Sequence, residues 1–354
     1  MSLSTVIIAK NEEKDIERCL KSVSPVSDEI IFVDTGSVDR TKEIAARYTK
    51  KIFNFAWVND FSKARNFAIE KATGDILFTL DADEALSRKD WEKFKEIKKS
   101  FPPEVAWGLS LPVRHYVESP VDYDFFSCQG EYPDMEESFF GYAISFRTLI
   151  FPSSENIRFE NAIHESIDNS IKRQNGKVVK VDIPVHNYGY LKAFSQEKNE
   201  CYRKLLIQEM EKDPNNFKKN YDYAHFLLTR GEENRALPYM EKAYEQCGKK
   251  PGRISYFLGV IYYALGSLEK AEDQFRSLLD IGQPGVFYYL SRIEFRKENY
   301  EESLKAVRRG LRQFKNNPFL IKSAYETYQK MGKGKMAREY LVKMKNVMRR
   351  KKSV

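Results

Sequence analysis

The sequence predicts an α/β domain with a mostly parallel central sheet, followed by an all-α domain of helical repeats. Strand and helix signals alternate in the first half, as they do when helices cover both faces of a parallel sheet. From about Leu191 onward only helical patterns remain, and small residues recur there at a regular spacing. We therefore expect one domain at residues 1–195 and a second at residues 196–354.

Short apolar runs define the strands that we predict in the first domain. They are Ser4–Ala9, Glu29–Val33, Lys51–Phe55 and Asp75–Leu80. Helical spacing fills the intervals between them, through Val23 and then over Ser37–Tyr48 and Asp60–Ala72. Residues 104–190 are less regular and richer in aromatic side chains, so we expect mixed strands there, such as Ala143–Phe151 and Val178–Val185, with substrate-facing loops.

The net charge of +8 is unevenly divided along the chain. Residues 1–200 carry 27 basic and 33 acidic residues, whereas residues 201–354 carry 32 and 18. This asymmetry supports two domains with different partners. The basic stretch Met348–Lys352 suits contact with an acidic partner or with an anionic membrane surface, although a solvated chain end explains it as well.

The sequence shows no sign of membrane insertion or secretion. No apolar run approaches the roughly 20 residues of a membrane-spanning helix. The first residues lack the basic flank of a signal peptide. We therefore expect a cytoplasmic protein without a membrane span, for which peripheral membrane contact stays open.

A repeat with a period near 34 residues runs through the second half. In each unit a small residue lies five positions after a residue at a predicted turn. The pairs of turn residue and small residue are Gly231/Ala236, Gly266/Ala271, Glu298/Ser303 and Gly332/Ala337. The pattern resembles the tetratricopeptide repeat (TPR), in which helix pairs stack and aromatic residues fill the layers between them. Such an array suits a peptide or protein partner, or dimerisation. Its aromatic residues follow the repeat and are explained as core, so we do not expect nucleic-acid binding.

An acidic turn follows the last of the four strands. The stretch GDILFTLDADE runs from a buried strand into Asp81 and Asp83, whose side chains project to one side of an extended chain. Ligands of open α/β sheets bind at this end of the strands. Carboxylates there suit Mg²⁺ or Mn²⁺ held partly by substrate phosphates. The alternative is a solvated turn that caps the helix beginning near Ser87.

The second strand also ends in an acid, Asp34, which can accept hydrogen bonds from a nucleobase or a ribose. Gly36 allows a tight turn after it, and Ser37 or Asp39 can cap the next helix. The loop after the first strand contains neither GxGxxG nor GxxxxGK, which disfavours a dinucleotide fold or a P-loop.

Four stretches, VIIAKNEE, VDTGSVD, WVNDFSKARNFAIEKATGD and LDADE, resemble in order and spacing the motifs of the family-2 glycosyltransferases. These are inverting enzymes of the GT-A fold, which is Rossmann-like. The resemblance implies a UDP-sugar site and a bound Mg²⁺ or Mn²⁺. It implies the following roles: Ala9, Lys10, Asn11 and Glu13 in the first nucleotide loop, Asp34 at the base, Arg65 beside the nucleotide, Asp81 at the ribose with Ala82 next to it, and Asp83 at the metal. A surface ion pair is the alternative for Arg65.

The stretch NAIHESI resembles the region where such enzymes place their catalytic carboxylate. We expect Glu165 to be the catalytic base, with His164 as its neighbour or substitute. Asp134, Glu136 and Glu137 are further candidates for this role. His186 lies where GT-A enzymes often supply a histidine to the metal or the diphosphate; a structural histidine is the alternative.

The resemblance therefore implies a metal-dependent inverting enzyme that moves a hexose or N-acetylhexosamine from a UDP-sugar to an acceptor. The fused repeats are similar to those of bacterial enzymes that glycosylate peptides or proteins on Ser, Thr or Cys. Two alternatives remain. The acceptor is a lipid-linked or cell-surface oligosaccharide, or the chain is a non-catalytic scaffold with a degenerate GT-A domain.

Overall fold

The structure, a computed structural model, describes residues 1–101, 107–117, 123–137, 139–189, 196–248 and 252–350. The chain forms two compact units. Residues 1–116, 130–135 and 144–205 make up the first, and residues 117–129, 136–143 and 206–354 the second. The predicted boundary after residue 195 borders an undescribed stretch and stays a prediction. Lys351 and Lys352 of the basic stretch, and the side chains of residues 348–350, lie outside the described part.

The first unit is built on a mixed sheet. Its parallel half comprises the four predicted strands, in the spatial order β3 (Ile52–Asn54), β2 (Glu29–Asp34), β1 (Leu3–Ala9) and β4 (Ile76–Asp81). The sheet continues through β8 (Gly141–Pro152), antiparallel to β4, then β6 (Trp107–Val117), β10 (Val185–Asn187) and β5 (Glu84–Leu86). β9 (Lys177–Lys180) lies beside β6. The predicted run Val178–Val185 is therefore two separate strands, β9 and β10.

Helices cover both faces of this sheet, as predicted for alternating strands and helices. They are α1 (Ile16–Val23), α2 (Thr41–Ala45), α3 (Phe61–Ile69), α4 (Trp91–Ser100) and α6 (Asp168–Arg173), with a short helical turn, α5 (Pro133–Glu136). Successive residues of β1 belong to two different hydrophobic cores. Ile7 lies in one core with Phe32 and Phe78, and Val6 lies in the other with Ile31. Burial on both faces explains why these strands are unbroken apolar runs.

The predicted helix Ser37–Tyr48 is shortened to α2 because the residues before it are hydrogen-bonded elsewhere. Val38 donates its backbone N–H to the side chain of Asn11, and Arg40 donates its own to Glu13. The segment is thus held as a loop against the first loop of the sheet.

The carboxyl ends of β1, β2 and β4 lie at one edge of the sheet. Ala9 is the register partner of Asp34, and Ile8 is the partner of Asp81. The residues predicted from three separate motifs are therefore brought to the same edge, which is where parallel strands present their loops.

The second unit contains the predicted helix pairs. In its described part they are α8 (Phe217–Leu228) with α9 (Glu233–Gln246), α10 (Gly252–Ala264) with α11 (Leu268–Arg276), α12 (Pro284–Arg296) with α13 (Tyr300–Gln313), and α14 (Pro318–Lys330) with α15 (Gly334–Arg350). Helix α7 (Gln196–Lys212) precedes them, and β7 (Phe125–Ser127) pairs with the first residues of β8. Within the described ranges, no helix has the length and apolar character to cross a membrane.

The small residues of the repeat are buried at the helix-pair contacts, as the sequence predicted. Ala236, Ala271 and Ser303 are fully buried, and Ala337 nearly so. The turn within each pair is also repeated. Its central residue has a positive φ at Gly231, Gly266 and Gly332, and equally at Glu298, where φ is 62°. The third repeat has therefore lost the glycine but kept the backbone conformation that favours it.

Replacing Glu298 with Gly should stabilise the second unit. Glu298 is exposed and has the left-handed conformation, which costs a side-chain-bearing residue roughly 1–2 kcal/mol; this is partly offset by the greater chain entropy of Gly. We expect the free energy of unfolding to rise by about 0.5 kcal/mol in urea titrations. The matched control, Gly266→Ala at the equivalent turn, should lower it by about 1 kcal/mol. A Glu298→Gly variant less stable than the wild type would contradict this account of the turn.

Candidate active site

The loops after β1 and β2 are joined by hydrogen bonds into one surface. Three successive backbone N–H groups of the first loop donate to side chains of the second. The pairs are Asn11 to Ser37 Oγ (3.0 Å), Glu12 to Thr41 Oγ1 (2.8 Å) and Glu13 to Asp39 Oδ2 (3.2 Å). Both predicted nucleotide loops, from Lys10 to Glu13 and from Asp34 onward, are therefore fixed relative to each other.

Asp34 is buried at the end of β2, next to Ala9 of β1. Its carboxylate accepts hydrogen bonds from the backbone N–H groups of Gly36 and Ser37, each at 3.2 Å. Asp34 therefore holds the turn that follows it. Its predicted contact with a nucleobase stays a prediction.

Arg65 joins two of the other predicted residues. It is on α3, which begins after Asp60, whose side chain accepts the N–H of Lys63. The guanidinium donates through Nε to Glu165 Oε1 and through a terminal nitrogen to Asp81 Oδ1, both at 2.5 Å. Its side chain is 10% exposed. Residues from three separate motifs thus meet in one ion-pair network. Arg65 does form ion pairs, as the alternative expected, but it is buried and not on the surface, and its role beside a nucleotide stays a prediction.

The charges in this network reinforce one another. Burial opposes the charged form of Arg65, but the carboxylates of Asp81 and Glu165 outweigh it and raise the pKa of Arg65. Burial likewise opposes the charged form of Asp81, but the guanidinium groups of Arg65 and Arg147 hold the pKa of that carboxyl well below its usual range. Both groups are therefore charged at any physiological pH.

Arg147 and Glu84 complete the network, and sequence reasoning assigned neither a role. Arg147, on β8, donates to Asp81 Oδ2 at 2.8 Å and to Glu84 Oε1. Glu84 is fully buried and also accepts from the backbone N–H of Asp81 and from Asn187 Nδ2, both at 3.0 Å. Glu84 belongs to the acidic run that the sequence singled out, whereas nothing in a strand-like run marks Arg147.

Asp83 is half-buried, and the end of β10 fixes the turn that carries it. Its carbonyl accepts the N–H of Tyr188 at 3.0 Å. Its carboxylate lies so close to Gly189 that a Cβ on that residue would be 2.2 Å from Asp83 Oδ2. Ala82 between the two acids is buried.

Glu165 and His164 differ in their surroundings. The Glu165 side chain is 13% exposed and is held by Arg65. His164 is exposed, with a φ of 54°. Of the further candidates, Asp134 accepts a hydrogen bond from Ser87, and Glu136 and Glu137 belong to the second unit. Among the five candidates for the catalytic base, Glu165 is the one that the described contacts join to Arg65 and, through it, to Asp81.

His186 is fully buried between aromatic rings. Its Nδ1 lies 2.7 Å from the hydroxyl of Tyr116, and its ring centroid is 4.8 Å from that of Tyr132. Burial, followed by the charge of Arg114, lowers the pKa of His186 to about 3, so that the imidazole is neutral. Its Nε2 has no hydrogen-bond partner among the described residues. A metal role for His186 stays a prediction.

A divalent cation at this edge would take few ligands from the protein. In the described part of the chain, no group of three or more His, Cys, Asp or Glu side chains could hold a metal by itself. Asp81 is engaged by two guanidinium groups, and Glu84 by Arg147 and Asn187. The carboxylate of Asp83, at the turn between them, is an oxygen donor of the kind that Mg²⁺ and Mn²⁺ take together with water and phosphate ligands, and its metal role stays a prediction.

Comparisons with known proteins show which proteins this chain is similar to. Residues 4–113 match the model of the family described as glycosyl transferase family 2. The chain is 27% identical over 288 residues to a TPR repeat-containing protein of Synechococcus elongatus, covering 78% of this chain and 66% of that protein. It is 26% identical over 247 residues to the SPbeta prophage-derived glycosyltransferase SunS of Bacillus subtilis, covering 67% of this chain and 52% of SunS.

The chain therefore spans between about half and two thirds of the length of these curated relatives. Among solved structures, the crystal structure of MamA overlaps 45% of this chain and 94% of its own, with a TM-score of 0.41 and 16% identity.

Removing Arg147 should destabilise the first unit in a pH-dependent way. Arg147→Met leaves Asp81 and Glu84 without one of their cations, and we expect the free energy of unfolding near neutral pH to fall by roughly 2–3 kcal/mol. The lowered pKa of Asp81 contributes stability above the unfolded pKa of about 3.9 and loses it as the pH falls through the folded-state pKa. The difference in the free energy of unfolding between wild type and variant should therefore become smaller below about pH 4.

Urea titrations at several pH values measure this difference. The matched control is Arg173→Met, which removes an exposed partner of Glu160 and should change stability little. A difference of the same size at all pH values would contradict the ion-pair explanation.

Proposed function

We propose that this protein is a metal-dependent, inverting glycosyltransferase, because residues 4–113 match the model of glycosyl transferase family 2 and the chain continues into TPR-like helix pairs. It transfers a hexose or N-acetylhexosamine from a UDP-sugar. The observation that carries the proposal is the bridge that Arg65 makes between Asp81 and Glu165, which are 84 residues apart in the sequence. The bridge places residues of three motifs at the edge of the sheet where ligands of open α/β sheets bind.

The donor is bound at the edge of the sheet where β1, β2 and β4 end. The joined loops at residues 10–13 and 34–41 hold the uracil and ribose, with Asp34 at the base and Asp81 at the ribose. Asp81 can accept a ribose hydroxyl while bound to both arginines, because an ionised carboxylate has about four acceptor sites. Arg65 lies beside the diphosphate, where its charge offsets that of the phosphates.

Asp83 holds the Mg²⁺ or Mn²⁺, with His186 as a further predicted ligand. A bound cation supplies stabilisation of the charge that develops on the departing diphosphate. The protein's own contribution is positional. Glu84, Asn187 and the backbone around Gly189 fix the turn that presents Asp83.

Glu165 is the base, with His164 as the reserve. Inversion requires a proton acceptor on the face of the anomeric carbon opposite the leaving group. The acceptor's nucleophile gives its proton to the Glu165 carboxylate and forms a bond to the anomeric carbon. The bond from that carbon to the diphosphate oxygen breaks at the same time, and UDP leaves with the electron pair. By holding Glu165 and Asp81 through one guanidinium, Arg65 sets the distance between base and donor.

The acceptor is a peptide or protein side chain, Ser, Thr or Cys, bound with the help of the helix pairs. Stacked helix pairs are surfaces suited to polypeptides. The competing acceptor is a lipid-linked or cell-surface oligosaccharide. Labelled product that is released by protease supports the first, and product extracted into organic solvent supports the second. A cytoplasmic location remains part of this proposal.

Asp83→Ala should abolish transfer while leaving the fold intact. Loss of the cation's carboxylate removes several kcal/mol of charge stabilisation, so we expect kcat/KM for UDP-sugar turnover with Mn²⁺ to fall by about 10³-fold. UDP-sugar with Mn²⁺ should raise the Tm of the wild type, since a ligand that binds the native state stabilises it, and should raise that of the variant much less.

The matched control is Asp75→Ala, which removes an exposed carboxylate at the opposite end of β4, where it accepts from Ser2. Turnover by this control should stay within about twofold of the wild type, because the pair is exposed and distant from the proposed site. Wild-type turnover by Asp83→Ala in the presence of a chelator would refute the proposed metal site.

A further inference from the structure

The first turns of α7 contact the loop that follows β1. Lys10 Nζ lies 3.0 Å from Glu197 Oε1, and Lys198 Nζ lies 3.7 Å from Glu12 Oε1. In the first pair the loop supplies the positive charge, from Lys10, and in the second pair it supplies the negative charge, from Glu12. They fix the start of α7 at the end of the site proposed for the nucleobase.

One turn further along, the same face of α7 contacts the start of α3. Cys201 and Tyr202 lie four residues after Glu197 and Lys198, so these residues form one stripe on the helix. Cys201 Sγ is 3.6 Å from Asn59 Oδ1, and the Tyr202 and Phe61 rings are 5.6 Å apart in an edge-on arrangement. These first turns of α7, up to residue 205, belong to the same compact unit as the site.

Phe61 connects this contact to the proposed catalytic residues. It lies four residues before Arg65 on α3, hence on the same side of that helix. Its backbone N–H donates to the carbonyl of Ala162 at 2.9 Å, which ties it to the segment carrying Glu165. Tyr202 thus packs on the element that joins Arg65 to the Glu165 segment.

The surroundings of the Tyr202 hydroxyl are acidic. Burial, and then the carboxylates of Glu165, Asp81 and Asp83, raise the pKa of Tyr202. A tyrosine hydroxyl is a hydrogen-bond donor at neutral pH, so Tyr202 can donate to a neutral or anionic partner.

We propose that the first turns of α7 form a wall of the donor site and that Tyr202 donates a hydrogen bond to the transferred sugar. This inference rests on the proposed function. From Glu197 to Tyr202 the helix rises by about 7 Å. It thus runs from the nucleobase loop toward Glu165, in the direction in which a nucleotide-sugar extends from its base to its reacting end. The occupant facing Tyr202 is then the hexose.

Two ligands that differ only by the sugar test this assignment. The Kd values of UDP, and of the tighter of UDP-glucose and UDP-N-acetylglucosamine, are measured by calorimetry with Mn²⁺ for the wild type and Tyr202→Phe. The variant keeps the ring against Phe61 and loses one hydrogen bond. We expect its Kd for the UDP-sugar to rise about 5- to 10-fold and its Kd for UDP to stay within about twofold.

A variant that binds both ligands as tightly as the wild type, or one that weakens both equally, would overturn the sugar contact. Binding of neither ligand by the wild type would instead overturn the proposed function, and this inference with it. Tyr262→Phe is the matched control, because it removes a buried hydroxyl that donates to Glu241 in the second unit. Both Kd values of that control should equal those of the wild type, and thermal unfolding checks that each variant is folded.

Discussion

The arrangement of the candidate site depends on an alternating set of charges in which each of two arginines bridges two of three carboxylates. Arg65 lies between Glu165 and Asp81, and Arg147 between Asp81 and Glu84. Carboxylates gathered at the end of a strand repel one another, so the acidic run is tolerated only where cations of fixed position are supplied. These cations come from α3 and β8, so that the acidic turn can form only when both elements are in place.

The parallel half of the sheet provides the rigid part of this arrangement. Its strands are buried on both faces, and their register aligns the ends of β1, β2 and β4. The residues with charged or polar roles lie beyond those ends, in loops that are hydrogen-bonded to each other. This separation lets a sequence vary the loops without disturbing the core.

Local patterns in the sequence were sufficient for the parallel strands and the helix repeat, because each depends on residues close in the chain. They also singled out Arg65, Asp81 and Glu165, which the structure brings together. Apolar runs predicted β1, β2 and β4, and the five-residue offset predicted the helix pairs. Arg147 and Glu84 were missed because their partners come from distant segments, and no local pattern reports a pairing across 63 residues. The single strand expected over Val178–Val185 failed for a related reason, since β9 and β10 both pair with β6 at different places along it.

Gly189 shows how a residue without a side chain can limit what the site tolerates. The space that a methyl group would need there is filled by the carboxylate of Asp83. Any larger residue at this position would therefore displace the Asp83 carboxylate, the group that we propose to hold the cation. A redesign of this turn should therefore keep glycine at position 189.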